Sequence, residues 1–262
     1  MMTTVPRTDG NGYDRRSLHE RIAADLRDEI MTGDLAPGAS LPSTARLKER
    51  FGASNATVQK ALQLLKSERL VVGRAGASVT VREHRQLTVR PASSMATAVT
   101  GDDPYPWLAE TAKHGGEARS TLLAVTETTP PADVAAALRL PADGTAVLRH
   151  QVLTLDGEPV ELVHAYYPPA ISRGTPLAEH RRIKGGTPTL LTALGYPPRL
   201  SVDHVSARIP TQEQYEALQL PGALPVLRTL RVVYDADERP VEVTVMAKAG
   251  HLYELRYEFT PE

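Results

Sequence analysis

The stretch GDLAPGASLPSTARLKERFGASNATVQKALQLLKSERLVVGRAG, residues 33–76, decides the reading of the N-terminal part of the chain. Pro37-Gly38 and Leu41-Pro42 are turn signals. Ser43 is placed to cap a short helix reaching about Arg50, with Leu47 and Phe51 inward and Gly52 as its breaker. Ser54 caps a second helix whose apolar face is Val58, Ala61, Leu62 and Leu65. Two short helices joined by a Gly-containing turn of about four residues make a helix-turn-helix. Working outward, Leu18, Ile22, Leu26 and Ile30 recur every fourth residue over 17–32, between a Ser17/Glu20 capping box and Gly33. On the other side, residues 70–72 and 79–81 flank Gly73-Arg74-Ala75-Gly76 and read as a β-hairpin. Residues 14–84 are therefore expected to form a winged helix-turn-helix, with Arg74 on the wing.

Charge separates this region from the rest of the chain. The 262 residues carry a net charge of −1. Residues 41–90 nevertheless hold ten Lys or Arg against three Asp or Glu, a surplus of seven positive charges that points to a polyanionic partner. Hydrophobic residues at 41% and charged residues at 23% are ordinary for a soluble globular protein. Cysteine is absent, which excludes disulfides, thiolate metal sites and cysteine nucleophiles, and makes a reducing cytoplasm the expected compartment. No run approaches the roughly 18 apolar residues of a membrane span, and the first residues have no apolar core of a secretory signal. Only 6 of the 30 basic residues are Lys, a skew that reflects a GC-rich genome before it reflects function.

A recognition helix enters the DNA major groove by its N-terminal end, which here presents Ser54, Asn55, Thr57 and Gln59. Asn and Gln suit the N6/N7 edge of adenine, whereas Arg suits guanine. Ser43, Arg46, Lys48, Lys60, Arg74 and Gly76 are placed for the phosphates or the minor groove. The run G-x-L-x-P-G-x-x-L-P-S, the S-x-x-T-V helix start, A-L-x-x-L and the Gly-bearing wing together resemble the DNA-binding domain of GntR-family bacterial transcription regulators. That family commonly has Arg where Ala45, Asn55 and Gln59 stand, so the resemblance implies the module but not the usual operator.

Residues 85–117, rich in Pro, Gly and Ser, read as a linker, with a short helix over 106–113 seated by Trp107 and Leu108. From Ser120 the chain repeats itself. VTETTPPADVAAALRLPADGTAVLR (125–149) aligns with VSARIPTQEQYEALQLPGALPVLR (205–228), and DGEPVELV (156–163) with DERPVEVT (237–244). Each copy reads as strand, short helix ending at Leu-x-Leu-Pro, strand, turn and strand, with period-two alternation in Val147, Arg149, Gln151 and Leu153 and in Leu227, Thr229, Arg231 and Val233. Two copies suit one α+β domain with a pseudo-twofold axis and a pocket between the halves, over 118–262. This half, through the paired Pro-Val-Glu strands and the closing YELRYEF, resembles the UTRA effector-binding domain of the HutC subfamily, a fold related to chorismate lyase. The expected fold class is thus α+β: a winged helix-turn-helix followed by an antiparallel-sheet domain with an internal duplication.

Between the copies, Thr187 reads as the N-cap of a helix with Pro188 at N1 and Gly195 past its end. Lys184 and Gly185-Gly186 precede free N–H groups, a ready anion site. The resemblance implies a hydroxyl near this helix start holding an anionic effector, and Thr189 occupies that place. It further implies pocket residues Arg149, Gln151, Glu161, Glu242 and Tyr257. Glu161 and Glu242 are equivalent in the repeat, so one of them has a structural alternative. Gln151 is a departure, since phosphosugar-binding members frequently have Arg near there, and the resemblance therefore does not imply a phosphosugar.

No H-E-x-x-H, Walker loop or G-x-S-x-G is present, and GASVT at 76–80 falls on the wing. The eight His are scattered, so no metal site and no cofactor are expected. The reading is a non-enzymatic, homodimeric repressor that binds double-stranded operator DNA and a small polar or anionic effector, with no membrane partner. The alternatives are a ligand-independent repressor of the plasmid type, or a chorismate-lyase-like enzyme with an accessory DNA-binding module.

Overall fold

Caps carve three helices from the N-terminal unit, and one apolar stripe on each closes its core. In the computed structural model, which describes residues 14–73, 78–83, 86–91, 116–222 and 224–259, these are α1 (Leu18–Thr32), α2 (Thr44–Phe51) and α3 (Asn55–Ser67). The Glu20 carboxylate accepts from the Ser17 amide at 2.7 Å and from its hydroxyl at 2.6 Å, fixing the start of α1. Ser43 Oγ accepts from the Arg46 amide at 3.3 Å, and Ser54 Oγ accepts from the Thr57 amide at 3.1 Å. Gly52 ends α2 in the left-handed region at φ +59°, where a side chain would be strained. Ile22 and Leu26, Leu47 and Phe51, and Val58, Ala61, Leu62 and Leu65 are all buried together. Burying a Leu or Ile in this way contributes roughly 1.5–3 kcal/mol relative to exposure. Arg27 donates twice to Glu68, at 2.9 and 2.6 Å, tying α1 to the end of α3. Strands β1 (Val71–Val72) and β2 (Thr80–Val81) pair antiparallel as the base of the wing. Its tip, with Arg74 and Gly76, lies outside the described residues, as does the helix expected over 106–113.

The chain divides into two compact units, Met1–Arg85 and Gln86–Glu262. The second begins with a departure from the expected linker. Residues Leu87–Val89 form strand β3, paired parallel with β10 (Tyr253–Leu255). Leu87 and Val89 both point into a core that includes Leu153, Leu162 and Tyr253. A two-residue apolar alternation next to Pro91 is a short signal, and its partner lies at the far end of the unit.

The rest of the unit is a six-stranded antiparallel sheet in the order β4-β5-β6-β9-β8-β7. The first copy supplies β4 (Ala118–Thr128), α4 (Ala132–Ala137), β5 (Ala146–Leu155) and β6 (Glu158–Tyr167). The second supplies β7 (Leu200–Arg208), α7 (Gln212–Ala217), β8 (Val226–Tyr234) and β9 (Pro240–Ala249), and the two copies meet along β6 and β9. Between them lie α5 (Pro169–Ser172), a 3-10 turn at Pro176–Ala178, and α6 (Gly186–Ala193). The duplicated Leu-x-Leu-Pro is a helix stop in both copies. Arg139 and Gln219 each take positive φ, 56° and 48°. The next amide then folds back, Leu140 onto the Ala135 carbonyl at 2.9 Å and Leu220 onto the Tyr215 carbonyl at 3.0 Å.

The register corrects the sequence alignment on one strand. Matching Val-Leu-Arg to Val-Leu-Arg equates Arg149 with Arg228. In the sheet His150 faces His164, whereas Leu230 faces Val245, the equivalent of His164. Arg149 therefore corresponds to Thr229 and Gln151 to Arg231. Arg228 falls on the opposite face of the sheet, where it reaches Asp133 of α4 at 2.6 Å. A one-residue slip exchanges the two faces of a strand, because side chains alternate with period two.

Candidate functional site

In the N-terminal unit the candidate nucleic-acid surface is the exposed N-terminal end of α3 with the neighbouring part of α2. Ser43, Arg46, Lys48, Ser54, Asn55, Gln59 and Lys60 are all exposed, and Thr57 is half-buried. Ser54 Oγ lies 2.9 Å from Thr57 Oγ1, and the Gln59 amide donates to Thr44 Oγ1 at 3.4 Å. These contacts orient the polar end of the helix without consuming the Asn55 side chain. The cations divide by their partners. Arg27 and Arg50 are paired with Glu68 and Glu29. Among the described residues, Arg46, Lys48 and Lys60 have no carboxylate partner, which leaves their charge available to phosphates.

In the second unit one face of the sheet carries a cavity of about 150 Å³. That is the size of an engineered apolar cavity that admits benzene, and so fits a guest on the order of six to ten heavy atoms. Its floor is the odd-numbered side of β5 and β6 and the matching side of β8 and β9: Arg149, Gln151, Val163, Ala165, Tyr167, Arg231, Val233, Glu242, Thr244 and Met246. Ser120 and Leu122 of β4 close one side, and Arg182, Ile183, Thr187, Pro188 and Leu191 around the start of α6 close the top.

The polar groups of the cavity are organised by buried bonds. Arg149 donates to the carbonyls of Leu177 at 3.0 Å, Glu179 at 2.9 Å and Arg181 at 2.6 Å. Its guanidinium thus holds the segment that carries Arg182 over the cavity. Burial lowers the Arg149 pKa, but a guanidinium keeps its proton, so a positive charge with no carboxylate partner among the described residues sits in the wall. Arg231 is committed differently, to both oxygens of Asp203 at 2.7 Å. Glu242 accepts from the Tyr167 phenol at 3.0 Å and from the Thr244 hydroxyl at 2.7 Å. Burial, then the neighbouring carboxylate, push the Tyr167 pKa well up, against a smaller downward influence of the nearby Thr187 side chain. Ser120 donates to the Gln151 carbonyl oxygen at 3.3 Å, leaving the Gln151 amide as a donor.

Of the sequence-derived effector residues, Arg149, Gln151, Thr187 and Glu242 come together here, while Glu161, Lys184, Thr189 and Tyr257 do not. Glu161 is 3% exposed and bound by Lys248 at 3.3 Å and Tyr253 at 2.8 Å. It is the structural member of the duplicated pair. The helix begins two residues earlier than its sequence suggests, with Gly185 as N-cap. Thr187 therefore lies in the first turn and faces Tyr167, whereas Thr189 Oγ1 donates back to the Gly185 carbonyl at 2.9 Å. Lys184 is exposed outside the cavity wall, and Tyr257, 45% exposed, stacks on Phe259. Sequence reasoning missed Ser120, Tyr167, Arg182, Arg231 and Thr244. The alternation of Arg231 with Val233 was a usable signal for one of them once the register was known.

It also missed a cluster on the other face of the sheet. His150 and His164, opposite each other on β5 and β6, stack with ring centroids 4.2 Å apart. Glu213 of α7 reaches His164 Nε2 at 3.1 Å.

Comparison with known proteins gives the following similarities. Residues 113–254 match the model of the UTRA domain, and residues 18–81 that of the bacterial regulatory proteins of the gntR family. An HTH-type transcriptional regulator of Streptomyces coelicolor is 27% identical over 250 residues, covering 93% of this chain and 91% of the relative. The HTH-type transcriptional regulator GgaR of Escherichia coli is 24% identical over 245 residues, 92% of this chain and 90% of the relative. The crystal structure of PhnF from Mycobacterium smegmatis shares the fold with a TM-score of 0.59 at 20% identity, over 92% of this chain and all of that one.

Proposed function

The chain belongs to the gntR family of bacterial regulatory proteins and carries a UTRA domain, and from that premise we propose how it works. It is a DNA-binding transcription regulator with a ligand-binding C-terminal domain. In our reading it is a repressor that acts as a homodimer on a roughly palindromic operator, with half-sites about one helical turn, ~34–36 Å, apart. Asn55 and Gln59 read base edges, with Ser54 and Thr57 beside them. Ser43, Arg46, Lys48, Lys60, Arg74 and Gly76 hold the phosphates or the minor groove.

The observation that carries the effector reading is the cavity's charge. Among the described residues, Arg149 and Arg182 bring two guanidiniums without carboxylate partners to a wall whose one carboxylate is Glu242. A small, polar, anionic ligand with a hydroxyl or amino group for Glu242 suits that set. Its binding shifts the DNA-competent population only by its differential affinity for the two states. Turnover is not part of this reading, because Glu242 and Tyr167 are bonded to each other rather than arranged as a nucleophile and a base.

Dimerisation through the C-terminal sheet is supported by β7. This edge strand exposes Leu200 at 55% and Val202 at 37% side by side on one face and Val205 at 41% on the other, apolar surface of the kind that seeks a partner. Among the described residues no helix is long and apolar enough to cross a membrane. We assign the protein to the cytoplasm, where its operator is.

The test is binding of the full chain to its own upstream DNA, over a salt series and against a shuffled duplex. Selective binding with log affinity falling steeply in log salt is expected. Replacing Asn55 by Ala should cost about 1–3 kcal/mol of discrimination at one base pair, whereas Lys60→Ala weakens all duplexes alike and lowers the salt slope by about 1. Equal binding to both duplexes overturns the operator reading.

A further inference from the structure

We propose that His150, His164 and Glu213 form a three-ligand site for a transition-metal dication of the Zn2+ class, on the face of the sheet opposite the effector cavity. Their donor atoms all lie within 4.8 Å of one another. Both imidazole Nε2 atoms are directed at the same carboxylate oxygen: Glu213 Oε1 is 3.1 Å from His164 Nε2 and 3.8 Å from His150 Nε2. Tetrahedral Zn2+ with bonds of about 2.0–2.1 Å separates its ligand atoms by about 3.3 Å and lies near the plane of each imidazole, so the two rings, stacked 18° from parallel, must turn toward each other to close on an ion. Two imidazoles with a carboxylate select a borderline metal such as Zn2+ over Mg2+ or Ca2+, which take oxygen ligands.

Two further observations point to a cation as the ligand. The first is His150 Nε2 itself, a buried nitrogen with no hydrogen-bond partner. Buried polar atoms are nearly always satisfied, and an unsatisfied imidazole nitrogen aimed at a carboxylate and a second imidazole is a ligand in waiting. The second comes from the internal repeat. Glu213 stands in the first turn of α7 where Asp133 stands in the first turn of α4. Asp133 reaches across the pseudo-twofold axis to a strand of the other copy and meets a cation there, Arg228, at 2.6 Å. Glu213 makes the matching reach to β5 and β6 and meets two histidines instead. The register equivalent of Arg228 is Leu148, so where one copy meets its carboxylate with a guanidinium the other offers it two neighbouring imidazoles. An ion bound there would pin α7, which belongs to the second copy, to the first.

The full-length protein, stripped with a chelator and dialysed, is titrated with Zn2+ by calorimetry, and the bound metal is counted after gel filtration. One Zn2+ per chain is expected, with a raised melting temperature. Glu213→Gln and His164→Gln should each weaken binding by at least about tenfold, the lower bound for second-shell losses and so a floor for a ligand. Glu213 is largely exposed, so its variant folds even if the histidine variant does not, and circular dichroism checks both. Loss of stoichiometric binding in each folded variant supports the site. Absent or substoichiometric binding by the parent protein, or undiminished binding by either folded variant, overturns it.

Discussion

The two copies of the repeat begin from the same Pro-Val-Glu strand and finish with opposite uses for its carboxylate. In the first copy Glu161 is sealed against Lys248 and Tyr253, deep in a core that also holds Leu162 and Leu252. In the second copy Glu242 faces the cavity and is held by Tyr167 and Thr244. The difference lies in the residue across β6 and β9. Lys248 sits at the position that Tyr167 occupies in the other copy. A lysine there fills the space with a charge that needs a buried partner, whereas a tyrosine supplies one neutral hydroxyl and leaves room for a guest. The lysine thus buries one carboxylate of the duplicated pair, and the tyrosine leaves the other facing the cavity that both copies line.

Breaking the closed copy should have the largest effect. Glu161→Ala strands the Lys248 ammonium, whose pKa burial already depresses, and should cost about 3–5 kcal/mol in urea unfolding. Glu161→Leu with Lys248→Met sharpens the point. That pair should recover most of the loss, because apolar replacement of both members of a buried pair is often neutral or stabilising. If the double variant is no more stable than Glu161→Ala, the carboxylate does something other than balance the lysine.

The open copy should respond in binding rather than in folding. Glu242→Gln keeps the shape of the side chain, and its unfolding free energy should stay within about 1 kcal/mol of the parent. Release of the operator complex by the effector should shift by about tenfold or more, as expected when a charged hydrogen-bond partner worth about 1.5–3 kcal/mol is lost. An unchanged release curve would remove Glu242 from the site and with it the contrast between the copies.

The smallest effects separate the two threonines of α6. Thr187→Val should weaken effector release, measured on the same DNA complex, by a few-fold, since a neutral hydrogen bond contributes about 0.5–1.5 kcal/mol. Thr189→Ala should leave release unchanged and stability within about 1 kcal/mol, because its hydroxyl returns to a carbonyl of its own helix. The reverse result would restore the place of Thr189 in the cavity.

These pairs also mark how far the sequence could be read. Caps and a period of 3.6 are local signals, so α1, α2 and α3 and the polar end of α3 were all visible in residues 17–67. The duplicated Leu-x-Leu-Pro was visible too, because a helix stop is written in a few adjacent residues. The face on which a strand residue lies is not local. Arg228 follows the same Val-Leu as Arg149 and still points the other way, and only the pairing of Leu230 with Val245 reveals it. The parallel pairing of β3 with β10 was hidden for the same reason, as were the convergence of His150, His164 and Glu213 and the part of Arg231 in the cavity. Each depends on which distant strand or helix lies alongside.

Gly185 and Gly186, at φ 71° and 79°, open α6 with two successive left-handed residues. For any other residue that conformation costs roughly 1–2 kcal/mol per position, so a substitution strains the turn that sets Arg182 and Thr187 over the cavity. A natural variant could exchange Gln151 for Arg, or Thr244 for Ser, and merely change its taste in ligands. Exchanging either glycine would strain the roof itself. In homologous sequences the glycine doublet should therefore serve as a barcode for an intact pocket, readable even where every ligand-contacting letter has been rewritten.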